Sequence, residues 1–169
     1  SFYLEILQEV FMVEKSIRYD IKGKKYISTP FKYYFTDLGL RNARLNFRQS
    51  EKSHLMENLL YNELRIRGFN VDVGVVPVIM RDEEGRQQRS QLEVDFVCNL
   101  GSRRYYIQSA FRMETDEKIR QEKASLLKVD DSFKKIVVLG EETPVQRDDA
   151  GIITIGIYDF LLKENSLEL

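Results

Sequence analysis

Apolar positions along the chain change period at recognisable points. Leu4, Leu7 and Phe11 recur at helical spacing with Ile6 and Val10 beside them, which predicts a helix. Extended stretches follow at 13–19 and 24–28. Asp20-Ile21-Lys22-Gly23 between them reads as a hairpin turn in which Gly23 takes the positive φ. Thr29-Pro30 is expected to stop the second strand, because proline cannot donate to a ladder. Residues 31–35 start another strand, and Asp37-Leu38-Gly39-Leu40 is a turn or short helix. Helical spacing returns over 53–67 and ends at Gly68, a good residue to follow a helix. Strands are predicted at 71–76 and 78–81, and the polar run 82–90 reads as a loop or hairpin tip. The strands 92–98 and 105–110 are separated by the turn Asn99-Leu100-Gly101-Ser102. Thr115 is placed to cap a helix over 115–129, with Asp116 and Glu117 favourable in its first turn. Strands at 135–139 and 152–155 and a helix at 158–164 complete the pattern.

From residue 50 onward the order α-β-β-β-α-β-β-α describes an α/β domain, a mixed central sheet flanked by helices. The helix and hairpin before it have the form of the second half of a winged helix, the hairpin being the wing. The expected division is therefore a partial winged helix with a connecting strand over 1–48 and the α/β domain over 49–169.

Charge refines this picture. Lys plus Arg number 26 and Asp plus Glu 27, for a net charge of −1, which excludes binding of nucleic acid by bulk positive charge alone. The distribution is uneven: residues 15–48 carry nine basic side chains against Asp20 and Asp37, a local net of +7. Arg18, Lys22, Lys24 and Lys25 gather on the hairpin, where they could meet phosphates without reading bases, or simply form a solvated face. One cysteine, Cys98, excludes a disulfide framework, and one histidine, His54, excludes sites built on several histidines. No apolar run nears the ~20 residues of a membrane-spanning helix, so a cytoplasmic, membrane-free protein is expected. The chain starts Ser1-Phe2-Tyr3 without Met, as expected of a fragment. It holds no phosphate-binding glycine loop, so ATP has no site in these residues.

The chemistry-bearing residues sit on the second unit. In Glu93-Val94-Asp95-Phe96-Val97, strand alternation puts Val94 and Phe96 on one face and Glu93 and Asp95 on the other. Tyr106, Gln108 and Ala110 share a face of the following strand, so Asp95 and Gln108 lie side by side if the strands are neighbours. Glu57 has Leu60, Tyr61 and Leu64 at i+3, i+4 and i+7, which places it at the edge of an apolar stripe, leaning toward the sheet.

A helix with Glu57, a strand with Asp95, and a strand with Gln108 and Ala110 together resemble the layout of the PD-(D/E)XK restriction-endonuclease-like fold. More narrowly, the chain resembles an uncharacterised C-terminal domain attached to prokaryotic AAA-type ATPases. The similarity runs through Lys32-Tyr33-Tyr34-Phe35-Thr36-Asp37-Leu38-Gly39-Leu40-Arg41-Asn42, His54-Leu55-Met56-Glu57-Asn58, Glu93-Val94-Asp95-Phe96-Val97 and Tyr106-Ile107-Gln108-Ser109-Ala110. The resemblance implies an ATPase module and a winged helix ahead of a nuclease-like domain. It also implies a site in which carboxylates hold Mg²⁺ or Mn²⁺ and a lysine helps to activate water. Glu57 and Asp95 match the first two carboxylates and would be the metal ligands. Gln108, a neutral amide, stands at the third carboxylate, and Ala110 stands at the lysine. Lysines migrate to the next helix in that fold, so Lys123, four residues after Ile119, could stand in for the missing one, or could snorkel from the edge of the apolar stripe.

With two of four functional groups replaced, the expectation is a degenerate nuclease centre and a role in recognising nucleic acid or a partner. On that reading these residues need no cofactor of their own, and ATP belongs to a preceding ATPase module, itself a partner. A metal-dependent nuclease using Glu57 and Asp95, and a purely protein-docking module, are the alternatives.

Overall fold

In the computed structural model, which describes residues 2–48, 51–81 and 85–169, the chain begins with α1 (Phe2–Glu9), β1 (Val13–Asp20), β2 (Lys25–Phe35), α2 (Leu38–Arg44) and α3 (Lys52–Ile66). It continues through β3 (Asn70–Arg81), β4 (Gln87–Leu100), β5 (Arg103–Ala110), α4 (Asp116–Lys123) and a 3-10 turn at Leu126–Lys128. The strands β6 (Lys134–Leu139), β7 (Gln146–Arg147) and β8 (Ile153–Gly156) precede α5 (Ile157–Leu162). All the strands join one mixed eight-stranded sheet in the order β2-β1-β3-β4-β5-β6-β8-β7. β3, β4 and β5 form an antiparallel meander, and β6 then pairs in parallel with β5, the crossover running through α4. The protein is thus an α/β structure with helices on both faces of a mixed sheet.

Each face of the sheet buries its own apolar layer. Phe96, Cys98, Tyr105, Ile107, Ile136 and Val138 pack under Met56, Leu60 and Leu64 of α3 and Phe160 of α5. Val94, Val97, Tyr106, Ala110 and Val137 pack on the opposite side with Leu126 and Val129. Gly68, at φ 86°, follows α3 in the left-handed conformation expected of a residue ending a helix.

Four local expectations change. The strand of residues 24–28 does not end at Pro30: β2 runs from Lys25 to Phe35. Ladder partners jump from Ser16–Lys32 to Arg18–Ile27, so Pro30 sits in a bulge on the outermost strand, where its missing donor costs no sheet bond. In the hairpin turn Lys24, not Gly23, takes the positive φ, at 50°. Gly23 instead lies against the Asp20 carboxylate, which accepts its N–H at 2.8 Å and which a Cβ there would push aside. The helix predicted over 115–129 stops at Lys123, because α4 buries none of its residues, and the 3-10 turn delivers Leu126 to the core. Residues 87–90 are strand rather than loop, paired with 78–81, while 82–84 lie outside the described residues.

The wing strands of the sequence reading are the edge of this same sheet. β1 pairs antiparallel with β2 and parallel with β3, through Arg18–Val73, Tyr19–Gly74 and Asp20–Val75. Among the described residues no helix is long and apolar enough to cross a membrane.

Candidate functional site

Glu57 owes its position to the residue beside it. Asn58 is buried in α3 and pairs with both backbone groups of Phe35, accepting its N–H at 2.9 Å and donating to its carbonyl at 2.7 Å. That two-bond clamp fixes α3 against the end of β2. Lys32 and Tyr34, two residues apart on β2 and therefore on one face, then converge on Glu57. The Tyr34 hydroxyl donates to Glu57 Oε1 at 2.7 Å and the Lys32 ammonium donates to the same oxygen at 2.9 Å. Tyr34 is held by a stack on Tyr61 with ring centroids 4.0 Å apart. Burial, reinforced by the charge of Glu57, pushes the Tyr34 phenol far above its ordinary value, so it remains a donor.

Asp95 sits at a break in the strand pattern. Between the partners Asp72–Val97 and Gly74–Val94, β3 advances two residues and β4 three, a β-bulge. The predicted alternation therefore fails here: Val94 packs with Val97 on one face, and Phe96 packs with Cys98 on the other. Gly74 is obligatory opposite the bulge, because a Cβ would lie 2.8 Å from Val94 Cβ and 2.9 Å from both Ile21 Cδ1 and Val97 Cγ2. The β4–β5 ladder runs only as far as Phe96–Ile107. Beyond it side chains replace the backbone bonds: Asp95 Oδ2 accepts the Ser109 N–H at 2.8 Å, and Gln108 Oε1 accepts the Asp95 N–H at 3.4 Å. Asp95 and Gln108 are neighbours, joined through the Asp95 backbone N–H. Burial and then the charge of Glu57 raise the Asp95 carboxyl to about 7, against the pull of the Ser109 N–H and Lys32.

Lys32 ties these carboxylates together. Its ammonium lies 2.9 Å from Glu57 and 2.6 Å from Glu93, and Arg18 pairs with Glu93 at 2.6 Å. Burial alone would lower the Lys32 pKa, but Glu57 and Glu93 outweigh it and the net shift is upward. Burial likewise works to raise Glu93, and Lys32 and Arg18 reverse it, so that carboxyl lies below its ordinary value. The centre is therefore a continuous chain, Arg18–Glu93–Lys32–Glu57–Tyr34, with Asp95 within its field.

As arranged, Glu57 is engaged by Lys32 and Tyr34, and Asp95 by the Ser109 N–H. Among the described residues no three His, Cys, Asp or Glu side chains gather to hold a metal ion. The oxygen of Glu57 facing the centre already accepts two hydrogen bonds, one from an ammonium that supplies the local positive charge. Ala110 is buried in the layer opposite α3 and offers nothing to the site.

The remaining sequence candidates divide. Glu57 and Asp95 lie within each other's field, while Gln108 reaches only the Asp95 backbone and sits on the face of β5 opposite α3, with Ser125 Oγ 3.4 Å from its Oε1. Lys123 does not join them; it pairs with Asp148 at 2.7 Å. Arg18 is committed to Glu93 and to the Pro30 carbonyl, at 3.0 Å, rather than presented outward with the hairpin lysines. Lys22, Lys24 and Lys25 are exposed around the β1–β2 turn. Lys32, Tyr34 and Glu93 were not singled out by the sequence reading. Glu93 carried a signal, its place two residues before Asp95; Lys32 and Tyr34 carried only their mutual spacing, since nothing in the sequence pairs β2 with α3.

A protein of Haemophilus influenzae (strain ATCC 51907 / DSM 11121 / KW20 / Rd), described as an uncharacterised protein, is 31% identical over 166 residues. The match covers 96% of this chain and 36% of that protein, so the chain spans about a third of the length of the curated relative it matches. No family model matches the sequence, and no solved structure matches it.

Proposed function

We propose that this chain is a restriction-endonuclease-like module whose nuclease centre is degenerate and which recognises nucleic acid, as the C-terminal region of an AAA-type ATPase. The observation that carries the reading is that Glu57, one of the two implied metal ligands, is engaged by the Lys32 ammonium at 2.9 Å, which also meets Glu93 at 2.6 Å. Gln108 and Ala110, at the positions of the third carboxylate and the lysine, point the same way. A helix with Glu57, then a strand with Asp95, then a strand with Gln108, is the order on which the likeness rests, and it supports the reading. α1 and the β1–β2 hairpin supply the winged-helix part of the reading, with the hairpin annexed as the sheet edge. The exposed Lys22, Lys24 and Lys25 at its turn are the phosphate-contacting residues. The ATPase module belongs to the part of a longer protein that this chain does not include, and the matched relative has room for one.

A cleavage and binding assay tests this. With Mg²⁺ or Mn²⁺, the reading expects no cutting of single-stranded, duplex or branched DNA or of RNA. It expects binding that is lost when Lys22, Lys24 and Lys25 are replaced by Gln. Metal-dependent cutting abolished by both Asp95→Ala and Glu57→Ala would make the protein a nuclease. Neither cutting nor binding would leave docking to a protein partner.

A further inference from the structure

Beside Glu57, away from the hairpin lysines in sequence, a pocket of about 290 Å³ opens where β2, α2 and α3 meet. Its polar lining comes from Lys32, Tyr33, Arg41, His54, Glu57 and Asn58. Most of these groups are already engaged. Asn58 is spent on the Phe35 backbone, Glu57 holds Lys32 and Tyr34, and His54 Nδ1 meets the Glu51 carboxylate at 2.9 Å. Arg41 differs. It is half-buried, and its guanidinium has one side-chain partner among the described residues, Asn42 Oδ1 at 3.0 Å, and no carboxylate. A guanidinium cannot shed its charge and carries five donors in a rigid fork, so Arg41 brings a fixed positive charge and unspent donors to the pocket wall. The segment 38–48 holds no acidic residue that could neutralise Arg41 locally, and its Arg44 and Arg48 lie outside the pocket lining.

We propose that this pocket binds a phosphate group, with Arg41 as its principal ligand, flanked by the one unspent N–H of the Lys32 ammonium and by His54 Nε2, which donates when the imidazole is protonated. A tetrahedral oxyanion accepts from several directions at once, which suits donors delivered by three separate elements better than a planar carboxylate does. The source of the phosphate is a nucleic-acid backbone, with the Tyr33 ring at the pocket wall as a surface for the adjoining sugar or base. That choice of source rests on the nucleic-acid reading above; the phosphate pocket itself does not.

His54 is the only histidine in the chain, so its imidazole Hε1 proton gives one resolved NMR signal that reports on the pocket. The titrants are a short thymidine oligonucleotide, inorganic phosphate and, as a planar anion, acetate. The expected result is a saturable shift with the oligonucleotide, a weaker one with phosphate and none with acetate at equal ionic strength. Arg41→Gln should weaken the oligonucleotide effect about tenfold, the loss of one charge-assisted anchor, and Arg41→Lys by less. Arg44→Gln, on an exposed residue of the same helix, should change it little. A spectrum unmoved by every titrant, or moved equally by acetate, overturns the pocket. Oligonucleotide binding that depends on Lys22, Lys24 and Lys25 but leaves His54 unmoved overturns it while the nucleic-acid reading stands. A shift with phosphate but no oligonucleotide binding keeps the pocket and refutes nucleic acid as its ligand. If Arg41→Gln fails to fold, Arg41→Lys with the wild-type titrations decides between the same outcomes.

Discussion

Replacing Lys32 by Met keeps an aliphatic stem and removes the ammonium, so the variant isolates the charge at the centre of the site. That ammonium contacts Glu57 and Glu93 with the Lys32, Glu57 and Glu93 side chains 27%, 17% and 35% exposed. Removing one partner of a buried pair costs about 3–5 kcal/mol, whereas exposed pairs contribute about 0–1 kcal/mol. Partial exposure places Lys32→Met between those limits, at roughly 2–3 kcal/mol, or a fall of about 4–12 °C in Tm for a domain of this size. The sign of its pH dependence follows from the shifts. Glu93 lies below its ordinary 4.5, so its contribution is present above that value and is lost as pH falls through the lower folded pKa. Lys32 lies above its ordinary 10.5, so its contribution is present below that value and is lost as pH rises through the higher folded pKa. The gap between wild type and variant is thus widest from about pH 5 to 10 and closes at acid pH. Thermal unfolding followed by circular dichroism measures it. The decisive comparison adds Glu57→Gln. Much of the cost of Lys32→Met is the carboxylate it strands, so the double variant should be more stable than the sum of the single losses, by about 1 kcal/mol or more. Strict additivity, or a Lys32→Met variant that melts with the wild type, would refute the central role given to this ion pair.

Other outcomes follow from the same geometry. Burial and the charge of Glu57 hold the Asp95 carboxyl above its ordinary 3.8 in the folded protein, so the native state keeps a proton that the unfolded chain releases, and stability should fall as pH rises above that value. Asp95→Asn, which can still accept the Ser109 N–H, should remove that fall in a Tm-against-pH series; an unchanged slope counts against it. Gly74→Ala forces a methyl into Val94, Ile21 and Val97 and should cost about 2 kcal/mol or more in urea denaturation, with a tolerated substitution showing that the bulge relaxes readily. Neutralising Lys22, Lys24 and Lys25 together should flatten the salt dependence of nucleic-acid binding by up to about three units of log–log slope, and an unchanged slope would move the contact elsewhere.

Local pattern made much of the fold legible. Helical spacing around Leu60, Tyr61 and Leu64 located α3, Gly68 ended it, and alternation through Tyr106, Gln108 and Ala110 assigned the faces of β5 correctly. Those are statements about neighbours in sequence, governed by backbone geometry and solvent exclusion, and they pointed to Glu57 leaning toward the sheet near Asp95. What escaped depended on contacts between distant segments. Alternation could not reveal the bulge at Asp95, because an extra residue in β4 is defined only against its partner β3. Pro30 could be tolerated within β2 only once that strand was known to be outermost. Lys32 read as one more basic side chain of a charged hairpin until Asn58 docked α3 on Phe35 and turned it toward Glu57. Lys123 had the right spacing to face the sheet, yet a partner 25 residues along the chain, Asp148, claimed it. The sequence by itself determined the elements, their apolar faces and the residue types from which a site could be made. Tertiary structure alone decided which charges meet, because attraction between ionised groups acts through space and is strong only where burial thins the surrounding water.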